Sequence, residues 1–282
     1  FQRSRRPESH AGIGAERPEQ RTIVVFSPKG GVGTTTIATN VAVAAAARAP
    51  DRVCLVDLSL QFGQVATHLN LEPRQSIAEL VRDEPALAEP ELLRTYALRH
   101  DSGCHVLAAP TGPEAAAAVT ADHVRRILAT ALGTYDRLVV DAGSRLDERV
   151  LAALEAASGL ILPISPEVAA LRALHAFMEY LNETGAAAGT TTFVLNRIFA
   201  RDLLRLRDIE SALGAQIDVE LPHDSYLYVK AVNEGEPIVR GAPRSAPAAA
   251  LLRLADRVFG TEAAEAAPVR TPARRGLLGG LL

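Results

Sequence analysis

The chain has 282 residues, of which 48% are hydrophobic, 4% aromatic and 22% charged, and its formal net charge is −3. This composition is typical of an α/β protein with one large domain or two small ones. The net charge implies no broad basic surface for nucleic acid, and a local basic patch is the alternative. The two cysteines and seven histidines show no metal-ligand spacing, and no apolar run is long enough to span a bilayer, so a cytoplasmic location is expected.

Three regions follow one another along the chain. Residues 1–21 are rich in Arg, Glu, Pro and Gly, which predicts a flexible N-terminal tail or linker. Residues 22–260 alternate short β-branched runs with helical patterns, and residues 261–282 predict a second flexible tail. The predicted strands are Thr22–Ser27, Arg52–Asp57, His105–Ala108, Arg137–Asp141, Gly159–Ile164, Thr191–Asn196 and Ile217–Leu221. The predicted helices are Thr35–Arg48, Gln61–Leu69, Ser76–Val81, Glu91–Leu98, Ala121–Leu132, Asp147–Ala157, Val168–Glu183, Arg201–Leu213, Tyr226–Glu234 and Ala246–Val258.

Nearly continuous apolar strands alternating with helices predict a three-layer α/β sandwich, in which helices cover both faces of a mostly parallel sheet. Ligands of such sheets bind at the carboxyl ends of the strands. The polar residues that stand out in this sequence fall at those ends.

A glycine-rich loop joins the first predicted strand to the first predicted helix. It contains Lys29, one of only two lysines in the chain. Glycines let a backbone approach a phosphate closely, and the amides that open a helix then bind it. The usual pattern G-x-x-x-x-G-K-[ST] would place glycine at position 28 and lysine at position 34, where this chain has Pro28 and Thr34. The predicted phosphate-binding residues are Lys29, Gly30, Gly31, Val32, Gly33, Thr34, Thr35 and Thr36.

Two aspartates end apolar strands, Asp57 after the second and Asp141 after the fourth. A carboxylate at such a position can hold Mg²⁺, as can the hydroxyl that follows a phosphate loop. Thr35, Asp57 and Asp141 are therefore the predicted metal ligands. A plain strand-end cap is the alternative for Asp57.

The run Lys29-Gly30-Gly31-Val32-Gly33 followed by hydroxyl residues resembles the deviant P-loop NTPases of the MinD/ParA class. The missing second lysine, together with the stretch 61–69 (QFGQVATHL), resembles more specifically the CpaE/TadZ branch of pilus-assembly ATPases. The resemblance implies ATP or ADP and Mg²⁺ as cofactors and a homodimer bridged by ATP. It also implies that Lys29 reaches the partner's phosphates and that Lys29 and Asp57 act in catalysis.

The same resemblance implies contacts on the adenine side of the nucleotide. They would come from Asn196 and Arg197 after one strand, and from Pro222, His223 and Asp224 after the next. Residues 229–237 match the family's A-x-N-x-G-x-P signature. An Asn at a strand end is alternatively a turn cap.

Hydrolysis is the open question in the sequence. In the MinD/ParA-like proteins that this chain resembles, a D-x-D pattern follows the second strand, and its second Asp orients the attacking water. Here Ser59 stands at that position, and a hydroxyl cannot accept the proton at neutral pH. We therefore expect a weak ATPase switch that localises or regulates a tight-adherence (type IV-like) pilus through its secretion motor ATPase. A non-hydrolysing ATP-binding scaffold and a ParA-like DNA-partition ATPase are the alternatives, and the acidic net charge weighs against DNA.

The last residues suggest a membrane contact. Four leucines would share one helical face after two arginines: Leu277, Leu278, Leu281 and Leu282 after Arg274 and Arg275. Such a segment can lie in a membrane interface, and MinD ends with a comparable anchor. Three glycines disfavour a helix, so a frayed tail is the alternative.

Overall fold

A computed structural model describes residues 21–185, 189–201 and 204–260. In this part of the chain one sheet has the strand order β3-β4-β2-β5-β1-β6-β7-β8, and all neighbouring pairs are parallel except β3 with β4. The strands are β1 Arg21–Val25, β2 Val53–Asp57, β3 Leu98–Arg99, β4 Cys104–Leu107, β5 Arg137–Asp141, β6 Gly159–Ile164, β7 Thr190–Asn196 and β8 Val219–Leu221. The predicted mostly parallel sheet is confirmed.

Helices cover both faces of this sheet. They are α1 Thr34–Arg48, α2 Val65–His68, α3 Ile77–Leu80, α4 Pro90–Thr95, α5 Pro113–Ala116, α6 Ala121–Ala131, α7 Glu148–Glu155, α8 Val168–Thr184, α9 Leu206–Leu213, α10 Ser225–Glu234, α11 Ile238–Gly241 and α12 Ala246–Phe259. Within the described ranges, none of them has the length and apolar character needed to cross a bilayer.

Successive residues of the central strands enter two different cores. Val24 and Phe26 pack in the core that includes α6, α7 and α8, whereas Ile23 and Val25 pack with α1 and α12 on the opposite face. Because every side chain of β1 after Arg21 is buried on one face or the other, the strand has no polar alternation. This double burial explains why the strands read as continuous apolar runs.

The structure corrects several predicted boundaries. Leu98 does not end a helix: α4 stops at Thr95, and Leu98 pairs with Val106 in the antiparallel edge strand β3. The helix expected from Gln61 begins only at Val65, and the strand expected from Ile217 begins at Val219. These elements are short, so local propensity alone places their ends poorly.

Three more differences concern helices. The helix expected from Arg201 begins at Leu206, and residues 202–203 lie outside the described part. The four-residue helices α5 and α11 were not predicted.

The two predicted tails fall almost entirely on residues 1–20 and 261–282, which are also outside the described part. Arg21, the last residue of the predicted N-terminal tail, is already the first residue of β1.

A buried polar network joins β4 to the start of β5. The Tyr135 hydroxyl lies 3.0 Å from Nδ1 of His105, whose Nε2 lies 3.1 Å from a carboxylate oxygen of Asp51. Because Nε2–H donates to the carboxylate, Nδ1 accepts the hydrogen bond from Tyr135. Burial is the main cause that lowers the pKa of His105, so the neutral ring is the form that fits this site.

This network predicts a pH-dependent contribution to stability. The unfolded chain accepts a proton on His105 near its ordinary pKa of about 6.5, and the folded chain resists that proton. The stability that His105 provides is thus present above that pH and is lost as the pH falls. We expect His105→Gln to lower the free energy of unfolding by about 1–3 kcal/mol at about pH 7.5 and by less at about pH 5.5. Denaturant titrations of both proteins at both pH values measure this gap, and an equal gap would contradict the assignment.

Candidate functional site

The glycine-rich loop lies between β1 and α1, at the carboxyl end of the sheet. Gly31 and Gly33 have φ values of +80° and +95°, a region that favours glycine. No side chain caps α1, so the first amides of this helix are free of the helix's own hydrogen bonds. Nothing lies within 4 Å of the position that a Cβ on Gly31 would occupy. The loop is therefore an open cradle of amides suited to an anion.

Asn196 fixes this loop from the neighbouring strand end. Its side-chain Nδ2 donates to the carbonyl of Val32 at 2.9 Å, and a Cβ on Gly33 would lie only 2.9 Å from the same nitrogen. Sequence reasoning gave Asn196 a contact with the base and missed this anchoring role. The base contact stays a prediction.

The three predicted metal ligands lie close together. The Thr35 hydroxyl donates to Oδ2 of Asp141 at 2.6 Å, and Asp57 is the direct neighbour of Asp141 across the β2–β5 pair. Both carboxylates are almost fully buried. Burial raises the pKa of Asp141, and burial together with the charge of Asp141 raises the pKa of Asp57 well above its ordinary value. Two carboxyls in this setting gain from a cation between or beside them.

The chemistry of these donors fits Mg²⁺. Mg²⁺ prefers oxygen ligands and is usually held by one or two carboxylates plus phosphate and water, not by a closed protein cage. In line with this, the described residues contain no group of three or more His, Cys, Asp or Glu that could hold a metal alone. The metal roles of Thr35, Asp57 and Asp141 remain predictions that this arrangement accommodates.

Asp57 also organises the loop that follows β2. Its Oδ1 accepts from the amide of Ser59 at 3.0 Å, and its Oδ2 accepts from the amide of Val65 at 3.2 Å. A Cβ on Gly63 would collide with the Asp57 carboxylate, so only glycine fits there. The cap considered for Asp57 from the sequence is thus present. Each carboxylate oxygen of Asp57 accepts a hydrogen bond from a backbone amide.

Lys29 is held within its own subunit. Its Nζ lies 3.2 Å from Oε2 of Glu167, which follows the end of β6 and immediately precedes α8. The hydroxyl of Ser165, a buried residue, donates to the same carboxylate oxygen at 3.1 Å. Sequence reasoning did not find Glu167. The signal available was an acidic residue just past the end of an apolar strand.

A cavity of about 240 Å³ opens beside the phosphate loop. Gly31, Gly33, Asn196, Arg197 and His223 contribute to its lining. The guanidinium of Arg197 binds Glu220 at 2.9 Å, and Nδ1 of His223 lies 3.2 Å from the carbonyl of Arg197. Three residues that the sequence analysis assigned to the adenine side, Asn196, Arg197 and His223, thus line one cavity next to the first turn of α1.

Asp224 and Pro222 are not among the residues that line this cavity. The carboxylate of Asp224 accepts from the amide of Leu227 at 3.0 Å and so caps α10. The predicted base contact of these two residues stays a prediction. The cap is a role that the sequence analysis did not assign.

The A-x-N-x-G-x-P run ends α10 with Gly235 at φ +62°. A Cβ on Gly235 would lie 2.6 Å from the Cβ of Asn70, in the turn after α2. This glycine therefore lets α10, which borders the cavity, pack against the segment that follows the Asp57 loop.

Comparison with known proteins gives a consistent picture. A family model described as an AAA domain matches residues 20–191. The chromosome-partitioning ATPase Soj of Thermus thermophilus is 30% identical over 261 residues, covering 86% of this chain and 97% of Soj. A putative septum site-determining protein MinD of Emiliania huxleyi is 27% identical over 247 residues, covering 85% of this chain and 88% of that protein.

Solved structures share the fold. A ParA family ATPase from Chlorobium tepidum TLS superposes with a TM-score of 0.77 at 24% identity, covering 84% of this chain and 98% of that one. MinD from Pyrococcus horikoshii OT3, complexed with Mg-ADP, gives a TM-score of 0.72 at 23% identity, covering 84% and 95%. Because the AAA-domain model covers more than half of the chain and Soj is similar over nearly its whole length, the chain belongs to the MinD/ParA family of P-loop ATPases.

Proposed function

We propose that this protein is an ATP- and Mg²⁺-dependent dimerising switch of the CpaE/TadZ type. It turns ATP over slowly and localises or regulates assembly of a tight-adherence (type IV-like) pilus. The observation that carries the nucleotide part is the 2.6 Å contact between Thr35 and Asp141 at the base of an open glycine loop. MinD of Pyrococcus horikoshii is described with Mg-ADP, and a related synthase of Mycobacterium smegmatis with an ATP analogue and magnesium.

Each part of the site has a task in this proposal. The amides of the loop and of the first turn of α1 bind the phosphates. Thr35 and Asp141 hold Mg²⁺, which when bound neutralises charge on the terminal phosphates. The base occupies the cavity lined by Asn196 and His223.

Slow turnover follows from the residues around the second strand end. Ser59 replaces the acidic residue that would orient water, and its Oγ lies 3.3 Å from where a Cβ on Gly143 would be. It can hydrogen-bond water beside this loop but cannot take its proton. Asp57 uses both oxygens to brace the loop. A scaffold that binds ATP without hydrolysing it is the limiting case of the same proposal.

The pilus role rests on the resemblance of two sequence stretches, residues 27–36 and 61–69, to CpaE/TadZ proteins. The partner in that role is a pilus secretion motor ATPase. A peripheral membrane contact would come from the leucine-rich end of the chain, which lies outside the described residues.

Metal binding should release protons. The pKa values of Asp57 and Asp141 are raised by burial, and a cation can be held only by their charged forms. We expect the heat of Mg-ADP binding to differ between phosphate and Tris buffers at one pH, since the buffers take up released protons with different enthalpies. Asp141→Asn should weaken Mg-dependent binding at least about tenfold and reduce the buffer difference.

The matched control for this experiment is Asp122→Asn, the same substitution at an exposed residue of α6. It should bind like the unmodified protein. Nucleotide binding that is equally tight with and without Mg²⁺ in the unmodified protein would contradict the proposed metal site.

Dimerisation should depend on Lys29 and Glu167 in opposite ways. In this proposal Lys29 contacts the phosphates of a second subunit, so Lys29→Ala should abolish the ATP-dependent shift on a sizing column. Lys29 must first leave Glu167, so the ion pair with Glu167 opposes dimerisation. Glu167→Gln should produce dimer at a lower ATP concentration, by up to about fivefold, because an ion pair this exposed to solvent contributes at most about 1 kcal/mol. An unchanged elution profile for Lys29→Ala would refute the role of Lys29.

A ParA-like role in DNA partition is the second candidate, and the similarity to the partitioning ATPase Soj favours it. It requires sequence-independent binding of DNA, which falls steeply with salt. Because the net charge is −3, we expect no retardation of duplex DNA in a gel with ATP and Mg²⁺ at low salt. A salt-sensitive shift that needs ATP would replace the pilus proposal with the partition role.

A further inference from the structure

The phosphate loop of this chain is short of one positive charge. Thr34 stands where the usual pattern has lysine. The remaining lysine of the loop, Lys29, is paired with Glu167, and Arg197 at the side of the cavity is paired with Glu220. Asp57 and Asp141 add carboxylates beside the loop. A bound polyphosphate would therefore find no unpaired cation among Lys29 and Arg197.

The loop between β5 and α7 lies directly against the phosphate loop. The carbonyl of Gly143 accepts from the amide of Ser27 at 3.3 Å, and the amide of Gly143 donates to Asp141 at 3.2 Å. The next residue, Ser144, has its Oγ 3.4 Å from the position of a Cβ on Gly30. Two successive residues thus fix this segment beside the glycines, and Arg145 comes immediately after them.

Arg145 is exposed, and within the described residues it has no ion pair and no hydrogen bond from its side chain. Arg149, four residues later, differs because its guanidinium is bound to Asp147. No carboxylate in the described part of the chain therefore competes with a phosphate for the guanidinium of Arg145. The backbone of its segment is held against the phosphate loop.

We propose that Arg145 supplies the charge that Thr34 lacks and contacts the terminal phosphate of a nucleotide bound to the same subunit. This inference rests on the proposed nucleotide binding. A guanidinium offers several donors in a plane and binds phosphate through two of them at once. Arg145 is a binding residue in this scheme. It distinguishes ATP from ADP because it contacts the γ-phosphate, which ADP lacks.

The test is calorimetric titration with Mg-ADP and with a non-hydrolysable ATP analogue plus Mg²⁺. Arg145→Gln should bind the ATP analogue roughly ten- to a hundredfold more weakly, the loss of one charge-assisted contact, and should bind ADP as before. Arg145→Lys should recover part of the loss. The control is Arg253→Gln, which removes the same charge from an exposed position on α12 and should change neither affinity.

A second pair of variants separates charge supply from a purely structural role. Thr34→Lys restores the usual lysine, so adding Arg145→Gln to it should cost much less than Arg145→Gln costs alone. Thermal melting of each variant confirms that it is folded.

The outcomes are distinct. If Arg145→Gln binds the ATP analogue as tightly as the unmodified protein, the role of Arg145 is wrong and the nucleotide proposal stands. If the variant loses ADP and ATP analogue equally, the contact with the terminal phosphate is wrong. If the unmodified protein binds neither nucleotide, the proposed function itself fails and Arg145 has no phosphate to contact.

Discussion

The carboxylates of Asp57 and Asp141 lie side by side at the ends of β2 and β5, and the rest of the site depends on this pair. Each is buried beneath the loops that a nucleotide would contact. Burying two carboxyls together is unfavourable unless protons, hydrogen bonds or a cation balance their charge. Asp141 receives a hydrogen bond from Thr35, and Asp57 receives two from backbone amides. The hydrogen bonds that reduce this cost also fix the start of α1 and the loop after β2.

This arrangement separates binding from hydrolysis. Thr35 and Asp141 form a donor set that does not need the missing lysine or the missing second aspartate. Asp57 is engaged as a brace, and Ser59 stands at the position from which an acid would act on water. In the proposed function, this arrangement lets the protein bind nucleotide while turning it over slowly, which suits a switch better than a motor.

Part of this site could be read from the sequence, because parallel strands bring their carboxyl ends to one edge. Thr35 and Asp141 are 106 residues apart, yet Thr35 opens the helix that follows β1 and Asp141 ends β5, so their proximity could be predicted. The contact between Asn196 and Val32, 164 residues apart, could not, because no local pattern says which backbone group a side-chain amide will find. The same limit hid Glu167 as the partner of Lys29. It also hid β3, whose two residues form a strand only because β4 lies beside them.

In the proposed function, Lys29, the single lysine of the loop, links the state of the site to assembly. While Glu167 holds Lys29, its ammonium is partly neutralised and directed to its own subunit. Glu167 follows β6, and the same oxygen accepts a hydrogen bond from Ser165, so the carboxylate has a second partner besides Lys29. In the proposed function, Lys29 exchanges the carboxylate of Glu167 for a phosphate, and the difference in free energy between these two contacts would drive association. Such an exchange would make the proposed dimerisation sensitive to the nucleotide without requiring a large movement of the fold.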